Sequence, residues 1–536
     1  MLPVLVGMVC VVSGSAAATP VGVVWGNAIE VPGSATLNNG GNAQVVSVTC
    51  ATAGGCTAGG FYKDGSGHHQ AFVVSEKNGN WGSAIEVPGI ETLNSGGDAH
   101  VASVSCATAG NCTAAGLYRD GSLHYQAFVV SEKKGSWGSA IEVPGTASLN
   151  MGGNARVNSV SCATAGACTA VGSYTDGSSH FQAFVVSETD GIWGSAIEVP
   201  GSATLNSGAD ASVLKVACGA AGSCTAGGFY RDGSGDYQAF VVSEKNGSWG
   251  SAIEVPGTAT LNSAGYALVN SVSCATAGSC TAGGYYRDSS VHYQAFVVSE
   301  ANGIWGSAIE VPGTASLNSG GNAQVVSVSC GAAGSCTAAG FYTDGSSHNQ
   351  AFVVSEKNGS WGSAIEVPGS AALNAGGEAD TSEVSCRATG NCTAGGYYRE
   401  GSGEYQAFVV SEKNGSWGSA IEVPGTPALN SGGYGLVNSV SCSTPGNCVA
   451  GGFYTDGAGP QRPFVVSSTS PCLVPRLVGK TLSAAKRLIT AAGCSLGKTT
   501  TANAKAQRGR VVAQHPKPGT RLKYGAKVAL TLSRGK

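Results

Sequence analysis

Apolar runs of five to eight residues alternate with breaks rich in Gly, Asn, Asp and Ser along most of the chain, and the pattern returns every 56 residues. One tryptophan marks each unit: Trp25, Trp81, Trp137, Trp193, Trp249, Trp305, Trp361 and Trp417. In the unit that starts at Trp305 and its continuation, four runs read as strands: Gln324–Cys330, Cys336–Thr343, Gln350–Glu356 and Ala364–Pro368. The third, QAFVVSE, is apolar on both faces, as a strand sandwiched between neighbouring sheets should be. The fourth alternates, with Ile365 and Val367 on one face and Ala364 and Glu366 on the other, and its Pro368 suits an edge strand. Lys357-Asn358-Gly359 supplies a hairpin turn between the last two, because Asn and Gly tolerate positive φ.

Four short antiparallel strands in a repeat of this length predict a β-propeller blade. The phasing at the two ends predicts closure. The repeats begin with a lone fourth strand, Ala28–Pro32, and end with three strands of a blade, Leu436–Cys442, Cys448–Thr455 and Pro463–Ser467. Pairing the last of these with the first strand of the chain completes an eighth blade. The fold class is therefore all-β: an eight-bladed β-propeller over residues 19–467, followed by a linker, 468–471, and a small α+β domain, 472–536.

Ser355, Gly359, Ser360 and Trp361 stand where the Ser-x-Asp-x-Gly-x-Thr-Trp turn of Asp-box (BNR-like) propellers lies, between third and fourth strands. The unit resembles those secreted bacterial repeats in a version one residue shorter, with Lys357 at the Asp position. The resemblance implies the architecture and no activity.

Glycine supplies 83 of 536 residues and charged side chains only 11%. That excludes a Lys/Glu-rich helical protein, and the 42% hydrophobic content excludes a disordered chain. The net charge of −3 divides unevenly: from Pro471 onward there are 14 Lys and Arg and no acid, leaving −17 for the rest. The first 18 residues, MLPVLVGMVCVVSGSAAA, read as a signal peptide cleaved before Thr19, too short to span a bilayer. In an oxidising compartment the 19 cysteines read as disulfides. Each unit carries one Cys-x5-Cys pair across a tight turn: Cys50/Cys56, Cys106/Cys112, Cys162/Cys168, Cys218/Cys224, Cys274/Cys280, Cys330/Cys336, Cys386/Cys392 and Cys442/Cys448. A disulfide there is expected to act locally, stabilising its own hairpin by roughly 2 kcal/mol. Zinc is disfavoured because no His or acid recurs beside the pairs. No metal or cofactor is expected elsewhere.

The repeated residues read as structural: tryptophans packing between blades, Glu30 and its seven equivalents guarding sheet edges, and the Asp of each turn, such as Asp344, capping it. The variable positions lie at the lead-in to each first strand, and should share a face with the histidine-bearing turns (His68, His69, His124, His180, His292, His348) around the channel mouth. Asp98, His100, Asn154, Arg156, Tyr266, Glu378, Asp380 and Tyr434 are the candidate ligand-binding rim. Glu378 with Asp380 or Asp98 could supply the paired carboxylates of a glycosidase, with Arg156 on another blade. A sialidase-like site wants a cluster of arginines, of which this module has few, and no catalytic residue is assigned.

In the tail, Thr481 can cap a helix with Leu482, Ala485, Leu488, Ile489 and Ala492 on its apolar face, closed by Gly493. Strands follow at Arg510–Gln514 and Lys527–Leu532, and Cys472 is expected to pair with Cys494. The pattern Val474-Pro475-x-x-Val478-Gly479-Lys480, Ala484-Ala485-x-x-Leu488, Gly493, Gly509-x-Val511-x-x-Gln514-x-Pro516-x-Pro518-Gly519 and Val528-x-Leu530-x-Leu532-Ser533 resembles a PASTA domain. That resemblance implies association with peptidoglycan or another wall polymer. Arg510, Lys517, Arg521 and Lys523 are the candidate contacts, since an acid-free basic module attracts polyanions.

The expected function is a secreted, wall-associated, non-enzymatic binding protein. The tail would hold peptidoglycan or an anionic wall polymer, and the propeller rim a glycan or protein ligand. Nucleic acid, a membrane span in the mature chain and oligomerisation are not expected. The alternatives are a secreted glycan-processing enzyme and a structural surface protein.

Overall fold

The computed structural model describes residues 23–457, 459–469, 472–522 and 525–535, so the signal-peptide reading and Lys523 lie outside the described residues. Eight antiparallel sheets follow one another along the chain, each ordered first to fourth strand as expected. In the sixth blade the strands are Ala323–Ala332, Ser335–Thr343 and Asn349–Lys357. The fourth is broken in two: Ser360–Trp361 pairs with the end of the third strand and Ile365–Glu366 with its middle. This corrects the expected alternation. Ile365 is exposed while Val367 and Ala364 are buried, because the ladder lasts only two residues before the chain turns inward.

That inward turn leads to a feature the strand pattern does not contain, the four-residue helix Ser370–Leu373 after Gly369. Gly369 has φ of 82°, a region where a side chain is strained. The helix tucks Leu373 against the blade core and sets the buried Asn374 between the third strand of the sixth blade and the lead-in to the seventh.

The cores lie between blades. Ala295 and Val297 of the fifth blade pack with Val325, Val328, Phe352 and Val354 of the sixth, and Trp361 lies partly buried against them. The equivalent phenylalanines (Phe72, Phe128, Phe184, Phe240, Phe296, Phe352, Phe408, Phe464) are all fully buried. Each stabilises the ring by at most about 3 kcal/mol on area grounds.

Around the axis the first strands are joined by side-chain clamps. Ser47 Oγ accepts from Val104 N (3.1 Å), Ser271 from Val328 N (3.0 Å) and Ser439 from Val48 N (2.9 Å). One layer down, Ser441 Oγ accepts from Cys50 N and Thr49 Oγ1 from Cys106 N. The Ser439 and Ser441 bonds join the eighth blade to the first, so the circle is closed. The two ends of the repeat array close it again: Ile29 and Glu30 pair with Val465 and Phe464, and Val24 and Trp25 with Thr469 and Ser468. The third strand of this blade runs to Thr469, two residues past the expected boundary.

All eight Cys-x5-Cys pairs are disulfides linking first and second strands of one hairpin: Cys50–Cys56, Cys106–Cys112, Cys162–Cys168, Cys218–Cys224, Cys274–Cys280, Cys330–Cys336, Cys386–Cys392 and Cys442–Cys448. Their Cα atoms lie 3.9–4.1 Å apart. Besides stapling its own hairpin as expected, each pair reaches the packing between blades through its second cysteine. Cys56, Cys112, Cys168, Cys224, Cys280, Cys336, Cys392 and Cys448 are all buried, because each opens a second strand that lies in the packing between blades. Cys224 and Cys392 belong to those interblade cores. At seven of the eight, a threonine hydroxyl of the preceding blade approaches the sulfur: Thr169 Oγ1 lies 3.4 Å from Cys224 Sγ, Thr225 Oγ1 3.3 Å from Cys280 Sγ and Thr337 Oγ1 3.3 Å from Cys392 Sγ, whereas Cys56 packs with Val449, which takes the threonine's place. The sulfurs thus serve both their hairpin and the blade before it.

In the tail the helix is Leu482–Ala491, with Thr481 Oγ1 accepting from Ala484 N, and Cys472 is bonded to Cys494, both buried. Ala485 and Ile489 are buried, but Leu488 is 39% exposed, so the buried stripe is narrower than expected. The sheet contains the two expected strands, Val511–His515 and Lys527–Ser533, and a third, Ser495–Ala502, which pairs parallel to the last. Its run of polar Thr and Lys hides it from a reading based on apolar alternation. Among the described residues no helix is long and apolar enough to cross a membrane.

Candidate functional site

The lead-ins to the first strands and the starts of the third strands meet at eight equivalent points on one face. Each point is an isolated bridge between neighbouring blades: His69 with Asp98, Tyr125 with Asn154, Phe181 with Asp210, Tyr237 with Tyr266, Tyr293 with Asn322, Asn349 with Glu378, Tyr405 with Tyr434, and Gln461 with Asn42 across the closure. The buried asparagine that follows each short helix holds the junction. Asn94 donates from Nδ2 to His69 O (3.0 Å) and Gln70 Oε1 (2.8 Å), and its Oδ1 accepts from Asp98 N (2.8 Å). The sequence repeats this asparagine eight times, yet nothing in its spacing reveals that it bridges two blades.

The turn between second and third strands lies beside this ring. Asp344 Oδ1 accepts from Ser346 N (2.8 Å) and His348 N (3.0 Å), and Oδ2 accepts from Gln350 (2.9 Å). Burial alone would raise the Asp344 pKa, but these donors outweigh it and hold the carboxyl below its usual range. Its role is to cap the turn, as expected. Six of the glutamates read as edge guards have a different role, as at Glu366, which accepts from Tyr342 Oη (3.3 Å) and Ser370 Oγ (3.1 Å), tying second strand, fourth strand and helix together.

The predicted rim residues fall into separate environments. Asp98 and His100 are joined by a 2.7 Å contact between Oδ1 and Nε2, and His69 Nδ1 lies 3.3 Å from the same oxygen. Tyr125 donates to Asp98 Oδ2 (2.8 Å). Burial works against the Asp98 carboxylate, but Tyr125 and His100 hold its pKa down; burial pushes the His100 pKa down despite Asp98. Glu378 accepts from Tyr405 (2.5 Å). Asp380 Oδ1 is buried with no hydrogen-bond partner among the described residues, and burial, aided by Glu378, pushes its pKa up to about 7. The hydrogen-bond partners of Asp98 lie in the first two blades and those of Glu378 in the seventh, so the two are not brought together. Arg156 is exposed and Asn154 half-buried.

Tyr266 and Tyr434 each belong to an aromatic cluster. Tyr266 lies 5.0 Å from Tyr237, 6.1 Å from Tyr285 and 5.9 Å from Tyr293 between ring centroids. Tyr434, 40% exposed, lies 5.0 Å from Tyr405 and 5.7 Å from Phe453. Arginine guanidinium groups cover four of the third-strand tyrosines, as Arg287 covers Tyr293 at 5.6 Å. The clusters require residues from three strands of two blades, and for that reason the lead-in positions alone did not disclose them.

In the tail, Arg510 donates to Gly479 O (2.8 Å) and Gln507 (3.1 Å), while Lys517 and Arg521 are exposed. Gln514 bonds to Leu477 N and Pro475 O, locking the leading segment onto the sheet.

No curated protein matches the chain. Solved structures with a similar fold include a BP39L lectin from Burkholderia pseudomallei (14% identity, 72% of this chain and 99% of that one, TM-score 0.39). Others are the Hadza microbial sialidase Hz136 (10% identity, 63% and 68%, TM-score 0.33) and a Pyrococcus horikoshii acylaminoacyl peptidase (9%, 94% and 67%, TM-score 0.40). At these values the likeness carries nothing about function. Residues 473–534 match the PASTA domain, the family that the residue pattern of the tail resembles.

Proposed function

We propose that this is an extracellular protein that attaches to the bacterial cell wall through its PASTA-like tail and presents the propeller rim as a recognition surface for a polyhydroxylated ligand. The observation that carries the reading is the pairing of a PASTA match with a module that has 14 basic and no acidic residues, on a propeller carrying −17. Such a tail is drawn to anionic wall polymers, and the attraction weakens with salt. Nine disulfides agree with an oxidising compartment. On the rim, the two tyrosine clusters supply apolar faces beside carboxylates and carboxamides, a combination suited to a sugar ring and its hydroxyls.

The test is retention on purified peptidoglycan, comparing the whole chain with residues 1–470, in which every strand of the propeller is kept. Retention of the whole chain only, declining as salt is raised, is expected. Equal retention of both removes the anchoring role.

One observation favours a glycan-processing reading: Glu378 and Asp380 lie two residues apart on one blade, and Asp380 is held near pH 7, where an acid catalyst operates. Hydrolysis of wall glycans by the wild type and its loss in Asp380→Asn would establish it.

A further inference from the structure

We propose that His69, Asp98 and His100 form a binding site for one Zn2+-class transition-metal ion at the junction of the first and second blades, with a coordination position left for water or a ligand. The site goes beyond the rim's proposed recognition role and does not depend on it. Among the described residues these three are the one group of His, Cys, Asp or Glu whose ligand atoms lie close enough together, all within 4.8 Å.

The geometry fits a small tetrahedral ion. Bonds of 2.0–2.2 Å to N and O donors place neighbouring ligand atoms about 3.3 Å apart. His69 Nδ1 and Asp98 Oδ1 already stand 3.3 Å apart. His100 Nε2, at 2.7 Å from the same oxygen, has to withdraw by roughly 0.6 Å to leave room for the metal. Two imidazoles converge on one carboxylate oxygen, a focus that a single cation occupies more naturally than two competing N–H groups. The second carboxylate oxygen is engaged by Tyr125, which leaves Oδ1 as the single metal-facing atom and orients it as outer-shell donors do in metal sites.

The ligands stand on rigid backbone. His69 opens a third strand, its N–H donates to Gly97 O (3.1 Å), and its carbonyl accepts from Ala99 N (2.9 Å). Asp98 is its bridge partner and His100 opens the next first strand. Phe61 supports both imidazoles, with ring centroids 4.2 Å from His100 and 5.4 Å from His69. The same three backbone positions recur at every junction but carry, for example, Tyr125, Asn154 and Arg156 or Tyr237, Tyr266 and Leu268 at the others. The scaffold thus repeats the three backbone positions eight times and assembles a ligand set once. Two imidazoles and one carboxylate select Zn2+, Ni2+ or Cu2+ over the hard cations Ca2+ and Mg2+.

Titration of the tag-free full chain with ZnCl2 by calorimetry, and with Co2+ by visible absorption, tests the site. One high-affinity equivalent per chain is expected, with the intense d–d bands of tetrahedral Co2+. Asp98→Asn and His100→Gln should each abolish that equivalent, Tyr125→Phe should weaken it by roughly 10-fold, and His292→Ala should leave it unchanged. Circular dichroism identifies any variant that fails to fold, and the remaining ligand variant then decides. Wild-type affinity no tighter than that of the ligand variants, or a loss in His292→Ala equal to theirs, overturns the proposal.

Discussion

Lys215 and Glu383 meet inside the ring of first strands: Nζ lies 3.9 Å from Oε1, although three repeats separate the two residues. Both stand at the position where the other six blades carry the clamp serine, such as Ser47 or Ser271. Glu383 keeps the clamp's function, since its Oε2 accepts from Val440 N (2.9 Å) and Ser439 Oγ (2.5 Å). Lys215 has only donors to offer and gives up its clamp to reach across the channel.

The two partners therefore contribute unequally. Glu383→Ala leaves a buried backbone N–H without its acceptor and is expected to cost about 1–3 kcal/mol. Lys215→Ala breaks a partly exposed ion pair and should cost less than about 1 kcal/mol. Lys215→Ser restores a serine clamp and should at least offset that loss. Guanidinium unfolding with the disulfides intact measures all three, and equal losses in the two alanine variants would contradict the assignment.

Stability should depend on pH through buried carboxyls. Burial raises the pKa of Glu76, Glu132, Glu188, Glu244, Glu300, Glu356 and Glu412, which follow the third-strand serines, and that of Asp380 reaches about 7. A carboxyl with a raised folded pKa binds its proton more tightly in the native state. Its contribution is fully present below the unfolded value, about 4, and is lost as pH rises through the folded value, which for Asp380 is about 7. The capped turn aspartates act in the opposite sense, so the comparison must isolate one group. Asp380→Asn should gain melting temperature over wild type progressively between pH 5 and pH 8; a constant difference across that range would exclude titration of Asp380.

The second strand of each blade contains a glycine with no room for a methyl group. At Gly340 a Cβ would lie 1.9 Å from Gln324 O, because a bulge between Val325 and Ser327 presses the first strand's backbone toward it. Gly340→Ala must displace backbone and should lower the melting temperature by several degrees. Ala339→Gly, its neighbour, loses only a methyl group and some unfolded-state restriction. Differential scanning calorimetry of both variants distinguishes close approach from a general glycine effect.

Much of this fold was legible because the repeat averages out local noise. The strand runs, the disulfide hairpins and the pairing of Ala28–Pro32 with the last blade follow from period and phase alone. What stayed hidden involves partners far apart in the chain. The buried Glu356 reads as a polar strand end, because its cover comes from Ser299 of the preceding blade. Cys280 reads as half of a local staple, because Thr225, the hydroxyl beside its sulfur, stands 55 residues upstream. Asn94 reads as a turn residue until its contacts to His69 and Gln70 are seen. Among the rim residues, the sequence placed Asp98 and His100 side by side, but His69 joins them only through a bridge between blades, 29 residues upstream.

The closure of the ring rests on very few residues. Ile29 and Glu30 pair with Val465 and Phe464, Ala28 N donates to Pro424 O (2.6 Å), and Glu30 also accepts from Tyr454 (3.2 Å) and Arg462 (3.3 Å). Without this segment the third strand of the last blade, Gln461–Thr469, becomes an open sheet edge with unpaired backbone groups, and such edges recruit other chains. Deleting residues 23–32 should therefore lower the melting temperature and produce dimers or larger species in size-exclusion chromatography. A synthetic peptide of residues 23–33 should restore the monomer by re-adding the strand, whereas a peptide with Val31→Pro, which cannot donate to Pro463 O, should not. A deletion variant that stays monomeric at unchanged melting temperature would mean that the serine clamps between the eighth and first blades close the ring without the terminal strand.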